Sequence, residues 1–138
     1  MKLLKLTILL SLVIFISSCA VHIVPARDSN ILIKVVQAEN DTKQLYTNIM
    51  VAPDKSYAIF LPNYLTIDTE ITDLITLEQS RVKGKIVYGM IKDIANRFAG
   101  YEATHRNQGT INNSEALIYQ NGMEALWQPL YNSENNFK

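Results

Sequence analysis

The sequence predicts an α+β domain in which a small antiparallel sheet of three or more strands precedes two or three helices. Two observations carry this prediction. The first half of the chain holds short segments rich in β-branched and aromatic residues, separated by turn-forming residues. The second half places its apolar residues at the spacing of a helix face.

Three strands are predicted, at residues 31–38, 45–52 and 57–61. In the first strand, ILIKVVQA, alternation would put Ile31, Ile33 and Val35 on one face and leave the other face also largely apolar. This composition favours a central strand. Turn formers at residues 39–42 and 53–56 would join the three strands as a meander.

The period changes after residue 62, although residues 64–79 are compatible with either a helix or another strand pair. A helix is predicted over residues 85–99, because the apolar residues of this stretch recur at helical spacing: Val82, Ile86, Val87, Met90, Ile91, Ile94 and Phe98. Gly100 is a suitable residue to end it.

Residues 101–112 are predicted to form a polar loop that bends at Gly109. Asn112, followed three residues later by Glu115, predicts the N-terminus of a last helix. The apolar face of that helix comprises Ala116, Tyr119, Met123, Leu126 and Trp127. Gly122 is expected to interrupt it, Pro129 to end it, and residues 131–138 to form a loose tail.

The start of the chain has the layout of a secretory signal. Lys2 and Lys5 precede an apolar run at residues 6–16, which is shorter than the roughly 20 residues that span a bilayer. The run leads into Ile16-Ser17-Ser18-Cys19. This segment resembles the lipobox of bacterial lipoproteins.

The resemblance implies that residues 1–18 are removed and that Cys19 becomes the lipid-carrying first residue. Ala20 stands where an aspartate would retain such a lipoprotein in the inner membrane, so an outer-membrane location facing the periplasm is expected. Residues 19–30 would then form a tether and residues 31–130 a single domain. A cleavage site elsewhere is the alternative, with Cys19 playing no role.

Charge is unevenly distributed in the mature chain. Removing Lys2 and Lys5 leaves 13 − 2 = 11 basic residues against 13 acidic ones, and six of the basic residues lie within residues 81–106. The candidate partner-binding residues on this segment are Arg81, Lys85, Tyr88, Lys92 and Asn96. These residues lie on one stripe of the predicted helix. The stripe is a solvated helix face, or it binds a partner that is an acidic protein or the anionic headgroups of a membrane. No nucleic acid partner is expected, because so few cations would bind it weakly.

The sequence predicts no catalytic, metal or cofactor site. Gly84 and Gly89 have the first spacing of a phosphate-binding loop, but its Lys and Ser/Thr are missing. Glu102 and His105 have the Glu-x-x-His spacing of di-iron bundles, yet no second copy is present. Only one other histidine, His22, exists, and no nucleophile motif accompanies it.

The sequence is compatible with two functions. The first is a non-catalytic lipoprotein that docks or scaffolds within a cell-envelope assembly, such as a secretion or transport system. The alternative is a lipoprotein that binds a ligand or inhibits an envelope enzyme. In either case the lipid on Cys19 would hold the protein at the membrane, and a protein partner in the envelope is expected.

Overall fold

The computed structural model describes residues 28–81 and 85–136. They form four α-helices: α1 (Ser29–Val51), α2 (Tyr57–Ser80), α3 (Lys85–Gln108) and α4 (Asn113–Asn136). Each helix packs against two others, in the ring α1–α2–α3–α4–α1, and consecutive helices run in opposite directions. The architecture is an up-down-up-down four-helix bundle.

The predicted α+β fold is therefore wrong. The described residues contain no strand, and their one β-type contact is an isolated bridge between Ser56 and Thr110 in two loops. The signal segment, Cys19 and the first part of the tether lie outside the described residues, as do residues 82–84 and 137–138.

The bundle forms because the buried residues of each helix are separated alternately by four and by three positions. The average spacing of 3.5 residues is close to one helical turn, so these residues share one face, which packs on a common core. In α1 these are Ile31, Val35, Ala38, Thr42, Leu45 and Ile49. In α2 they are Phe60, Tyr64, Ile67, Ile71, Leu74 and Glu78. In α3 they include Val87, Ile91, Ile94, Phe98 and His105, and in α4 Ala116, Met123, Trp127, Leu130 and Glu134.

The helical face corrects the first predicted strand. Ile31 and Val35 are buried as a strand face would require, but Ile33, which alternation places beside them, is 62% exposed. The three residues fit a period of two over five positions. The period of 3.5 continues over nineteen residues, from Ile31 to Ile49, and it determines the structure.

The other two predicted strands are also helical. Residues 45–51 complete α1, and residues 57–61 form the first turns of α2. Residues 64–79, which the sequence left open, continue α2 as a helix. Pro62 lies inside α2 at an exposed position. Proline has no backbone N–H, so one carbonyl of the preceding turn loses its helical hydrogen bond, and at an exposed position that carbonyl can bond to water instead.

The predicted signals around the loop before α4 are confirmed. Gly109 has φ of 78°, a left-handed conformation that glycine adopts without steric cost. Asn112 Oδ1 accepts the Glu115 N–H at 3.0 Å, and Glu115 Oε2 accepts the Asn112 N–H at 2.8 Å, which forms a capping box. The predicted turn at residues 53–56 is likewise non-helical.

The second half of the chain is more helical than its glycines and proline suggested. The predicted helix at 85–99 continues past Gly100 to Gln108, so most of the expected loop is helix. α4 passes through Gly122 and Pro129 and reaches Asn136, across residues expected to be a loose tail. At Gly122 a Cβ would collide with the Tyr101 hydroxyl, so this glycine permits close approach of α3 and α4.

The two ends of the bundle differ in their relation to the N-terminal segment. We call the end where α1 begins, near Asp28 and Lys85, the tether end. The opposite end, which holds the two loops at residues 52–56 and 109–112, is the distal end. At 1.5 Å per residue, a 24-residue helix separates them by about 36 Å.

Candidate docking surfaces

The basic stripe of α3 comprises Lys85, Tyr88, Lys92 and Asn96. Lys85, Lys92 and Asn96 are exposed, and they follow one face of the helix from its first residue. Tyr88 is half-buried, and its hydroxyl accepts a hydrogen bond from Gln79 Nε2 of α2 at 3.2 Å. The structure thus brings four of the five predicted partner-binding residues onto one surface beside the tether end.

Arg81, the fifth predicted residue, is held by a different set of contacts. Its Nη1 lies 2.7 Å from Glu78 Oε1 and 2.8 Å from Glu134 Oε1, and its side chain is only 10% exposed. Burial raises the pKa of both glutamates, although the guanidinium opposes the shift. We call Arg81, Glu78 and Glu134 the buried ion cluster. It ties the end of α2 to the end of α4.

The remaining described cations of the basic segment point away from the stripe. Arg97 lies with its guanidinium carbon 5.8 Å from the centre of the Tyr101 ring, on the side of α3 that faces α4. Arg106 is exposed near the distal end. The concentration of charge seen in the sequence therefore winds around α3, and only Lys85 and Lys92 remain as cations on the stripe.

His105 occupies a buried polar site rather than a metal site. Nε2 lies 2.8 Å from the Lys55 backbone oxygen, which only accepts, so Nε2 carries the hydrogen. In the neutral ring, Nδ1 then accepts the Tyr64 hydroxyl at 3.0 Å. Glu102, its partner in the Glu-x-x-His spacing, accepts the Tyr57 hydroxyl at 2.5 Å. These contacts join α3 to α2 and to the distal loop.

Within residues 28–81 and 85–136, no three histidine, cysteine, aspartate or glutamate side chains come together in a way that could hold a metal ion. Of the helices in those ranges, none has the length and apolar character that crossing a membrane requires.

A cavity of about 210 Å³ lies between α1 and α4. Its floor includes the buried residues Thr42, Met123 and Trp127, and its rim includes the charged residues Glu39, Lys43 and Glu124. The Trp127 Nε1–H is buried without a hydrogen-bond partner. Because almost none of its surface is accessible, a water-sized group in the cavity does not reach this donor.

Exposed apolar side chains are a second set of candidate docking residues, which sequence reasoning missed. Among the described residues, Ile33 and Ile86 lie in the half of the bundle next to the tether end. Six others lie in the distal half: Val51, Ile59, Leu61, Leu65, Leu117 and Ile118. The available signal was that these residues fall outside the four-three pattern of the core.

Comparison with protein-family models, with curated proteins and with solved structures finds no match to this chain. Inferences about function therefore rest on the residues themselves.

Proposed function

We propose that this protein is a lipid-anchored, periplasm-facing lipoprotein of the bacterial outer membrane that docks a protein partner and catalyses no reaction. The observation that carries the proposal is the separation of two features. The lipobox cysteine precedes one end of the bundle, whereas six of the eight exposed large apolar side chains of the described residues lie in the other half.

The short distance from Cys19 to the bundle favours this orientation. Asp28, which caps α1, is nine residues after Cys19, and nine extended residues reach about 30 Å. A lipid on Cys19 would therefore keep the tether end within reach of the membrane, and the distal end would project into the periplasm.

The position of the basic stripe favours anionic headgroups over an acidic protein as its partner. Lys85 is the first residue of α3 and lies at the tether end, with Lys92 two turns further along. Each cation near an anionic membrane surface contributes about 1 kcal/mol. The stripe would thus supplement the lipid and orient the bundle.

The exposed apolar residues of the distal half define the chemistry of the protein partner. Leu117 and Ile118 are consecutive on α4, and Ile59, Leu61 and Leu65 lie on α2, at the diagonally opposite corner of the ring. Neither helix contains a lysine or arginine. Both helices contain acidic residues, among them Asp68 at the middle of α2 and Glu115 in the first turn of α4, at the distal end. We infer that the partner, a component of a cell-envelope assembly such as a secretion or transport system, presents an apolar contact with basic residues around it.

Lipidation can be tested with the Cys19→Ala variant. We expect the native protein to incorporate a clickable fatty acid during growth and to fractionate with the outer membrane, and the variant to do neither, because the acceptor thiol is absent. The anchor is disproved if the variant still incorporates the label, or if the native protein is recovered in the soluble fraction.

Docking can be tested with a photo-crosslinking residue at Leu117, which is 47% exposed. Ile118→Asp should abolish a discrete crosslinked adduct in intact cells, because a charge replaces apolar surface beside the crosslinker. Ile33→Asp is the matched control, since Ile33 and Ile118 are both 62% exposed but lie towards opposite ends. Equal loss of the adduct in both variants would contradict a distal docking surface.

The alternative function, ligand binding, is favoured by the cavity between α1 and α4. A ligand there would contact Trp127, the single tryptophan of the chain, and change its fluorescence. Under this alternative, Ile118→Asp would leave ligand binding intact, because Ile118 does not line the cavity.

A further inference from the structure

The α1–α2 seam is rich in polar contacts outside the buried core. Gln37 Nε2 of α1 donates a hydrogen bond to Glu70 Oε1 of α2 at 2.7 Å. Lys34 lies one turn before Gln37 on α1, and its Nζ lies 3.1 Å from Asp73 Oδ2 of α2. One turn after Gln37 comes Asp41, so that a second carboxyl group lies on the same edge of α1.

Glu70 lacks a donor for one of its two oxygens. Oε2 is buried and accepts no hydrogen bond. The Asp41 carboxyl lies on the same edge of α1 as Gln37, the hydrogen-bond partner of Glu70, and it interacts with Glu70 across the seam. Lys34, the cation on this edge, is already paired with Asp73. With both carboxyl groups ionised, two acceptors would face each other without a donor, whereas one proton would turn the contact into a hydrogen bond.

The electrostatics agree with this geometry. Burial raises the pKa of Glu70 to about 7, and the hydrogen bond and charge of Asp41 act in the same direction. Gln37 and Lys34 oppose the shift without cancelling it. The proton on Glu70 is therefore exchanged near neutral pH.

The opposite edge of α2 carries a similar pair. Asp68 interacts with Glu102 on α3: burial, followed by the charge and the hydrogen bonding of Glu102, raises the pKa of Asp68. Glu102 also accepts the Tyr57 hydroxyl, and Arg106 lies beside that hydroxyl. α2 thus meets both of its neighbours through pairs of carboxyl groups.

We propose that the α1–α2 seam is a proton-dependent latch. In mild acid, Glu70 holds a proton and donates it to Asp41, which closes the seam. As the pH rises above neutrality the proton is lost, the two carboxylates repel each other, and α2 is held less tightly against α1. In the periplasmic location that we propose, the protein would experience changes in external pH. The pH dependence of the α1–α2 seam rests on Glu70 and Asp41 and does not require a docked partner.

The direction of the pH dependence follows from linkage. A carboxyl group whose pKa is higher in the folded state binds its proton more tightly there, so the folded state is favoured at low pH. For Glu70 this advantage is lost as the pH rises from its ordinary range near 4.5 through about 7. The fraction of unfolded protein in urea should therefore increase over this interval.

The test is urea unfolding of the full chain in non-ionic detergent, followed by the fluorescence of Trp127, the only tryptophan. Glu70→Gln keeps an acceptor for Gln37 and supplies a permanent donor towards Asp41, so it reproduces the protonated state. At about pH 8 we expect its unfolding constant to be about tenfold lower than that of the native chain, because the seam is half-exposed and screening limits the effect. At about pH 5 the two should be equal.

Two further variants make the test specific. Glu124→Gln removes an exposed carboxylate of α4 and should leave the pH dependence unchanged. Asp41→Asn should act in the same direction as Glu70→Gln, and the double variant should gain less than the sum, because both remove one repulsion. The latch is disproved if Glu70→Gln is no more stable than the native chain at about pH 8, or if the two effects add fully.

Discussion

At the scale of single residues, the ion pairs made by Lys34 and by Arg81 illustrate how burial changes the effect of a charge. Lys34 and Asp73 lie 3.1 Å apart, but their side chains are 44% and 54% exposed. Arg81 lies at a similar distance from Glu78 and Glu134, whose side chains are fully buried. An exposed pair contributes about 0–1 kcal/mol, whereas removing one partner of a buried pair costs about 3–5 kcal/mol.

We therefore expect Arg81→Ala to lower the free energy of unfolding by about 3 kcal/mol or more, because two buried carboxylates lose their cation. Lys34→Ala is the control and should change it by about 1 kcal/mol or less. Urea unfolding monitored by Trp127 fluorescence measures both. If the two variants are equally stable, Arg81 is better exposed to solvent than its contacts indicate, and it would belong with the partner-binding stripe.

At the scale of the element, α1 shows how far sequence reasoning could go. Its segment 31–38 is short and β-branched, and within eight residues a strand and a buried helix face cannot be separated by periodicity alone. The decisive residues were further along the chain. Thr42, Leu45 and Ile49 extend the four-three spacing, but a predicted turn at residues 39–42 had divided the pattern.

Other elements were predictable in part. Most of the predicted apolar face of α3 is buried, from Val87 to Phe98, but Ile86, which was also assigned to it, is 73% exposed. The Asn112–Glu115 cap forms as expected. These features depend on neighbours within one or two turns. By contrast, continuation of α4 through Pro129 depends on the contacts of Leu130 and of Glu134 with distant residues. Tertiary packing of this kind outweighs local propensity, and the sequence alone does not reveal it.

The candidate site was predictable to a similar extent. The stripe of Lys85, Lys92 and Asn96 could be found because a helix places such residues on one face. Arg81 could not be excluded, because its glutamate partner on α4 is 53 residues away in the chain. The distal apolar surface could not be found without knowing which helix ends meet.

At the scale of the whole molecule, charge divides the four helices into two diagonal pairs. α2 and α4 contain acidic residues and no lysine or arginine, whereas every lysine and arginine within the helices lies on α1 or α3. Each seam of the ring therefore joins an acidic helix to one that contains cations. Only α3 has a net positive charge, with four basic residues against Asp93 and Glu102. α3 is therefore the helix whose charge suits an anionic surface, and Lys85 and Lys92 are its cations on the stripe.

The last prediction tests that face. A chain beginning at Ala20 contains every described residue and no lipid, so its partition onto vesicles reports the protein surface alone. Lys85→Glu/Lys92→Glu should weaken its binding to phosphatidylglycerol vesicles at low salt by about 2 kcal/mol, or roughly 30-fold. Binding to phosphatidylcholine should be weak for both chains, and high salt should remove the difference.

The matched control is Lys43→Glu/Arg106→Glu, which makes the same change of charge in the distal half of the bundle. Because that half would project away from the headgroups, its reversal should reduce vesicle binding far less. If both double variants lose binding equally, the attraction reflects the total charge and the stripe does not orient the bundle. If neither loses binding although the Lys85→Glu/Lys92→Glu chain no longer captures a native partner, the stripe contacts an acidic protein, and the membrane assignment is wrong.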